Sequence, residues 1–218
     1  MAIVLERGDV FFAYRPRVGE EYAGELADVQ RFWMILSPRE RALHRRIVIG
    51  KKRLPRKRER HWGYVDQVSR NPLRLVDDLH ETHYWTKTKG MRKQATARAV
   101  GEGVYALVRD PDDDCTRFVY RLELPEEPGD VQHDLGIRDE GIFIATAFAT
   151  RGKKKFTNVT SDLLDRRGEE LIFIGASDDL GVDLPIDRSV ADSADIFRTL
   201  AMEDSEHPLR PLFDGLWS

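Results

Sequence analysis

The chain contains one cysteine, Cys115, and no long apolar run. A single cysteine cannot form an intramolecular disulfide or a multi-cysteine zinc site, so neither cross-link holds this fold. The N-terminus lacks the positively charged stretch and apolar run of a signal peptide, and no segment is long enough to span a bilayer. We therefore expect a cytoplasmic protein without a bound cofactor.

The overall composition is that of a globular protein. The 218 residues are 41% hydrophobic and carry a net charge of only −3, which excludes a disordered, highly charged chain. The length fits one large domain or two small ones. We expect a single domain over residues 1–218, and a division into residues 1–70 and 71–218 stays open.

The near-neutral total conceals large opposite charges. Residues 39–98 contain 18 basic and 6 acidic side chains, a net charge of +12, whereas residues 101–150 carry −8 and residues 156–218 carry −9. The basic side chains are densest between residues 45 and 60, where they are Arg45, Arg46, Lys51, Lys52, Arg53, Arg56, Lys57, Arg58 and Arg60.

Three interpretations of this basic cluster stay open. The acidic C-terminal part is able to neutralise it within the fold, as is common for charge runs. A dense row of Lys and Arg is also what nucleic acid needs, because affinity comes largely from displaced counterions. Anionic lipid or another phosphate ligand is the third alternative. In the nucleic-acid interpretation RNA or DNA is the partner, no membrane is involved, and the phosphate contacts are Arg45, Arg46, Lys51, Lys52, Arg53, Arg56, Lys57 and Arg58.

Aromatic residues lie next to these cations. Trp62 and Tyr64 follow Arg60 directly, and Trp85 precedes a further group of lysines. Flat rings beside positive charges are typical of surfaces that stack bases and hold the backbone. The alternative is that these rings belong to the hydrophobic core, where large aromatic side chains are commonly found.

The hydrophobic pattern predicts a mostly β fold. Short apolar and aromatic runs bounded by turn residues predict strands at residues 10–14, 29–36, 46–50, 61–68, 103–109, 116–124, 142–149 and 170–175. The Asp- and Pro-rich residues 110–114 predict a hairpin turn. We expect an α+β fold, predominantly antiparallel β, with one or more small barrel-like sheets capped by short helices.

Helices are predicted at three places. Asn71 as N-cap and Pro72 at the first helical position predict a helix over residues 71–83, and further helices are expected at residues 128–136 and 193–203. Residues 150–158 are the best loop candidate. The apolar residues 207–218 are expected to dock on the body or on a second subunit, so a homo-oligomer through this segment is an alternative.

One pair of side chains has metal-ligand chemistry. On the predicted helix, His80 and His83 would face the same way, with Asp77 as a third ligand. Zinc proteases of the zincin type place their two histidines four positions apart, and here the spacing is three. We therefore expect no metal site.

Several sequence blocks resemble a widespread set of bacterial proteins to which no activity is attached. The blocks are RGDVFFAYRPRVGEEY, DVQRF, IVIGKKRLP, WGYVD, GEGVYALV and LELPEEPGDVQ, and the resemblance covers residues 6–176. It implies a shared fold over most of the chain, and beyond Ala149 the loop and the C-terminal extension depart from it.

A shorter stretch is similar to the opening of the MazF-type toxin endoribonucleases. It comprises Arg7, Gly8 and Asp9, then Pro16, Gly19 and Glu20, and an arginine, Arg31, before an apolar strand. The resemblance implies an SH3-like barrel and gives Arg31 a role in cleaving the RNA backbone, with Asp9 or Glu20 nearby. The turn here is longer, and Phe32 replaces the proline of that family.

We predict a nucleic-acid-binding protein that uses residues 39–98 as its contact surface. The alternatives are a MazF-like endoribonuclease and a non-enzymatic assembly component that oligomerises through its C-terminal segment.

Overall fold

The computed structural model describes residues 2–111, 114–150, 153–176, 200 and 208–218. Its helical elements are α1 (Asp130–Leu135), α2 (Ser161–Leu164), α3 (Arg210–Asp214) and two 3₁₀ turns, Leu26–Asp28 and Pro72–Leu75. The strands are β1 (Ile3–Pro16), β2 (Val29–Pro38), β3 (His44–Ile49), β4 (Arg60–Ser69), β5 (Thr82–Thr86), β6 (Gly90–Gln94), β7 (Arg98–Asp110), β8 (Cys115–Leu124), β9 (Glu140–Thr150), β10 (Lys153–Asn158) and β11 (Glu170–Gly175).

Eight of these strands close into an antiparallel barrel. The order β9-β11-β4-β3-β2-β1-β7-β8 returns to its start because β8 also pairs with β9, from Arg117 opposite Ile144 to Arg121 opposite Glu140. Strand β10 extends the sheet beside the far end of β9, and β5 and β6 form a separate two-stranded hairpin. The predicted α+β, mainly antiparallel, barrel-like class is confirmed. Strands from both sides of residue 70 contribute to this one barrel.

The barrel interior is filled by alternate residues of each strand. Large aromatic side chains dominate this core, among them Phe12, Phe32, Phe118, Tyr120 and Phe143, all 5% exposed or less. Closure leaves these strands without free edges, and an eight-stranded barrel is narrow enough for side chains to fill.

Short helices cover the two ends of the barrel. Leu135 of α1 packs into the core beside Leu54, and the backbone N–H of Leu54 donates to the Leu135 carbonyl at 2.8 Å. At the other end, Leu164 of α2 joins the same core. The prediction that short helices cap the sheet is therefore confirmed.

A second core lies on the outer surface of β1 and β2. Phe11, Trp33 and Ile35 point outwards and are covered by Leu79 and by Leu212 of α3. The described part of the C-terminal segment docks on its own barrel, which is the first of the two arrangements expected for it. The ring of Trp217 lies 5.2 Å from that of Tyr14.

The helix predicted over residues 71–83 is wrong. Asn71 does cap the predicted start, since its side chain accepts a hydrogen bond from the backbone N–H of Leu73 at 3.1 Å. The helical conformation ends after the single turn Pro72–Leu75, because the carbonyls that a longer helix would use are taken by other groups. The Leu75 carbonyl accepts from Arg46, and the Asp78 carbonyl accepts from Arg15.

Two other local predictions have different outcomes. Residues 153–158 form strand β10 rather than a loop, since they pair with β9, and Phe156 lies opposite Phe148. The helix predicted over residues 193–203 lies outside the described residues, apart from Leu200.

Candidate nucleic-acid interface

Two of the predicted phosphate-binding arginines are buried in ion pairs. Arg45 projects into the barrel and is fully buried, with Nη1 2.5 Å from Glu6 Oε1 and Nη2 2.7 Å from Asp165 Oδ1. Tyr105 donates from its hydroxyl to the same Glu6 oxygen at 2.6 Å. Burial alone would lower the pKa of Arg45, but the hydrogen bond to Glu6 keeps this pKa above its usual value. Arg45 is consequently removed from the set of phosphate contacts.

Arg46 is likewise engaged, on the outer side of the barrel. It is 2% exposed, forms ion pairs with Asp66 at 2.5 Å and with Asp78, and lies over the Trp33 ring at 5.7 Å. The prediction that Arg46 contacts phosphate is corrected for the same reason, since its donors are already bonded.

The loop between β3 and β4, which we call the basic loop (residues 50–59), uses two of its cations to hold its own shape. Lys52 donates from Nζ to the carbonyl of Val29 at the start of β2. Arg53 pairs with Glu59 at 2.9 Å, and Glu59 also accepts from the backbone N–H of Arg56 at 2.9 Å. These two hydrogen bonds lower the pKa of Glu59 to about 2, so the carboxylate stays charged and the loop stays closed around it.

The remaining cations of this region point to solvent. Within the described part of the chain, the structure shows no ion pair for the exposed side chains of Lys51, Arg56, Lys57, Arg58 and Arg60. The cluster is thus divided into buried structural arginines and an exposed group on one loop and the adjoining start of β4.

Exposed aromatic rings continue from this group along β4. Arg60, Trp62 and Tyr64 alternate with buried residues, so all three project from the outer face of the barrel. Trp62 is 56% exposed and Tyr64 38% exposed, so neither belongs to the core. The N–H of Gly50 donates to the Trp62 carbonyl at 2.7 Å, which fixes the basic loop beside this strand.

Two phenylalanines extend the aromatic surface across the sheet. The Trp62 ring lies 5.8 Å from that of Phe148 on β9, which lies 5.0 Å from that of Phe156 on β10. We call Trp62, Tyr64, Phe148 and Phe156 the aromatic face. Contiguous exposed apolar surface of this kind marks an interaction site more often than isolated exposed residues do.

A groove opens between the first two rings of this face. It has a volume of about 360 Å³ and is lined by Gly50, Trp62, Gly63, Tyr64, Gly168 and Glu170. Gly50 and Gly168 add no side chain to the floor, and Gly63 contributes only backbone because a side chain there would point into the barrel against Ile47 and Phe173. The two rings and one carboxylate form the walls. The groove can therefore take a flat, mainly apolar group that carries hydrogen-bond donors.

Trp85 lies on the separate β5–β6 hairpin. It is 72% exposed and pairs with Met91 on the opposite strand. The base of the hairpin is attached to the segment after β1, where Gly19 donates to the Lys93 carbonyl at 2.9 Å. No described ring contact joins Trp85 to the aromatic face.

Arg31 and Asp9 lie far apart, and the two candidate metal ligands do not share a helix face. Arg31 is exposed on β2 opposite Arg15, whereas Asp9 lies six residues further along β1, about 20 Å away at the usual rise per residue. His83 is on strand β5 and His80 in the bend before it, so they do not share a helix face. Among the described residues, no group of three potential ligands gathers.

The sequence pattern missed three members of the site. Phe148 continues the alternation Ile142, Ile144 and Thr146 on β9, and this pattern indicates an outward face. Phe156 falls in residues 150–158, which the sequence predicts as a loop. For Glu170 the sequence predicts only the start of a strand. Glu170 lines the groove because it lies opposite Tyr64 on β4, a pairing that no local pattern specifies.

Comparison with protein-family models, with curated proteins and with solved structures finds no match to this chain. None of the helices in the described part is long and apolar enough to cross a bilayer.

Proposed function

We propose that this protein binds single-stranded nucleic acid on the aromatic face, with the exposed cations of the basic loop and Arg60 contacting the phosphates. The observation that carries the proposal is the direct adjacency of exposed Trp62 and Tyr64 to exposed cations that no described acidic group neutralises. Rings on a sheet surface bind bases by stacking, worth about 1–3 kcal/mol per base, and cations hold the backbone.

A single strand fits this surface better than a duplex. In a duplex the base faces are stacked on one another, so they cannot reach rings on the outer surface of the barrel, whereas unpaired bases can be splayed onto these rings. The groove between Trp62 and Tyr64 supports the same preference, because it has room for a flat group between its walls.

Fluorescence anisotropy with labelled oligonucleotides tests the proposal. We expect single strands of about 20 nucleotides to bind at about 50 mM salt and to bind more tightly than the matching duplex. Trp62→Ala should weaken binding by about 5- to 150-fold, the loss of one stacked base.

Trp85→Ala is the matched control, because it removes an even more exposed tryptophan that lies off the aromatic face. We expect this variant to bind like the unmodified protein. Absence of binding to any oligonucleotide at about 50 mM salt would overturn the proposal. An equal loss in both variants would also overturn it, because stacking would then not depend on this face.

A further inference from the structure

The backbone positions of Trp62 and Tyr64 have the spacing of a base-stacking slot. Residues two apart on the same side of a strand are about 6.6–6.8 Å apart. A ring inserted between two others needs about twice the stacking distance of about 3.4 Å, which is the rise per base in a duplex strand. Gly50 beside the two aromatic residues adds no side chain to this space, and Gly63 between them faces the barrel interior, so it contributes only backbone.

A carboxylate stands at the wall of the slot. Glu170 on β11 lies directly opposite Tyr64 on β4 and is exposed on the same outer face. Side chains directly opposite one another in an antiparallel pair have Cβ atoms about 4.5–5.5 Å apart, so the carboxylate reaches the edge of a ring stacked on Tyr64. The structure shows no hydrogen bond or ion pair for this carboxylate within the described residues.

The chemistry of the carboxylate discriminates between bases. Both of its oxygens accept hydrogen bonds and neither donates. Guanine alone presents two adjacent donors, N1–H and the N2 amino group, on its pairing edge. Adenine and cytosine place a ring-nitrogen acceptor next to their amino group, and uracil and thymine place carbonyl acceptors on both sides of one N–H, so each would bring a lone pair against the carboxylate.

Resting on the function proposed above, we propose that the slot holds an unpaired guanine of a bound single strand. The base stacks between Trp62 and Tyr64, and its N1–H and N2–H₂ donate to the two carboxylate oxygens of Glu170. Arg60, two residues before Trp62 on the same face, and Lys51, next in the chain to Gly50, contact the flanking phosphates. Glu170 is thus a specificity-determining residue, while the cations supply affinity without sequence preference.

The test uses four oligonucleotides of about 12 nucleotides, uridine tracts whose central base is G, A, C or U. We expect the G-containing strand to bind about tenfold more tightly than the other three, the discrimination typical of a bidentate contact. Glu170→Gln should reduce this ratio to about twofold or less, because one carboxylate acceptor becomes an amide donor. Its affinity for the all-uridine strand should not fall.

Glu127→Gln is the charge-matched control, since Glu127 is exposed in the segment between β8 and α1. It should keep the full preference for guanine. Equal binding of all four strands by the unmodified protein would overturn the guanine assignment while leaving the proposed function intact, and failure to bind any strand would overturn the function itself. A preference that survives Glu170→Gln would also overturn the assignment. Binding of free guanosine monophosphate as tight as that of the G-containing strand would overturn the strand as the ligand.

Discussion

Arg45 is a cation enclosed by a hydrophobic barrel. Its three partners are Glu6, Asp165 and the carbonyl of Ser161, which accepts from Nη2 at 3.3 Å. Burial alone would raise the pKa of Glu6, but the hydrogen bonds from Arg45 and Tyr105 hold this pKa below its usual value. Each charge is therefore stable in the interior only while the other is present.

We predict a large loss of stability when one partner of the Arg45–Glu6 pair is removed. Arg45→Met leaves the Glu6 carboxylate buried without its cation, and we expect the free energy of unfolding to fall by about 3–5 kcal/mol. Urea denaturation, monitored by far-UV circular dichroism, measures this free energy of unfolding.

The double variant Arg45→Met/Glu6→Gln is the control for this pair. It should recover part of the loss, because no unpaired charge remains in the barrel. A single variant within about 1 kcal/mol of the unmodified protein would contradict the structural role given to Arg45.

The basic loop and the start of β4 form the element that would supply affinity. Triple substitution of Lys51, Lys57 and Arg60 by alanine should lower the affinity for single strands at low salt. It should also reduce the slope of log affinity against log salt by about 2, because each phosphate contact on a single strand contributes about 0.7. Anisotropy titrations over a salt series measure both quantities.

The matched control replaces Arg70, Lys87 and Lys89 by alanine. These exposed cations lie off the aromatic face and the basic loop, and their removal changes the net charge by the same amount. We expect the slope to stay unchanged. Equal effects of the two triple variants would mean that total charge, rather than this element, governs binding.

The elements themselves could be predicted from the sequence where a single local rule governs them. Every predicted strand is present, because short apolar and aromatic runs bounded by turn residues are typical of strands that are largely buried. The helix over residues 71–83 failed because its carbonyls bond to Arg46 and Arg15, which come from distant strands. Local propensity carries no information about such partners.

The candidate site was predicted in part for the same reason. Trp62 and Tyr64 were identified from their position after Arg60, and both are exposed on the same face as that arginine. Phe148, Phe156 and Glu170 were missed because three separate strands bring them next to β4. The sequence alone does not separate the buried structural cations from the exposed ones, since Arg45 and Arg60 differ only in which side of the barrel wall they occupy.

At the scale of the whole molecule, opposite charges from the basic and acidic parts of the chain meet beside the start of β3. Arg41 pairs with Asp162 and Asp165 at 2.6 Å each, and Arg45 also pairs with Asp165, so the start of the acidic C-terminal part neutralises the end of the barrel near β3. The basic loop lies at the opposite end of that strand. Under the proposed function, this separation leaves the exposed cations of the basic loop available to a polyanion.

The same barrel should respond to acid through a buried histidine. His61 is fully buried on β4, its Nδ1–H donates to the Arg53 carbonyl at 2.7 Å, and Nε2 lies 3.3 Å from the Glu59 carboxylate. Burial lowers the pKa of His61 despite this carboxylate, and burial likewise lowers the pKa of the half-buried His44. Both side chains therefore resist protonation in the folded protein more than in the unfolded chain.

The sign of the pH dependence follows from that difference. Below about pH 6.5 the unfolded chain takes up protons that the folded protein refuses, so the free energy of unfolding should decrease as pH falls, by up to about 1.4 kcal/mol per pH unit for His61. Urea denaturation between about pH 8 and pH 5 measures this slope. His61→Asn keeps a donor for the Arg53 carbonyl but cannot titrate, and it should flatten the curve to the part contributed by His44. His83→Gln, at an exposed histidine, is the matched control variant. An unaltered slope in His61→Asn would show that the buried imidazole is not the group that responds.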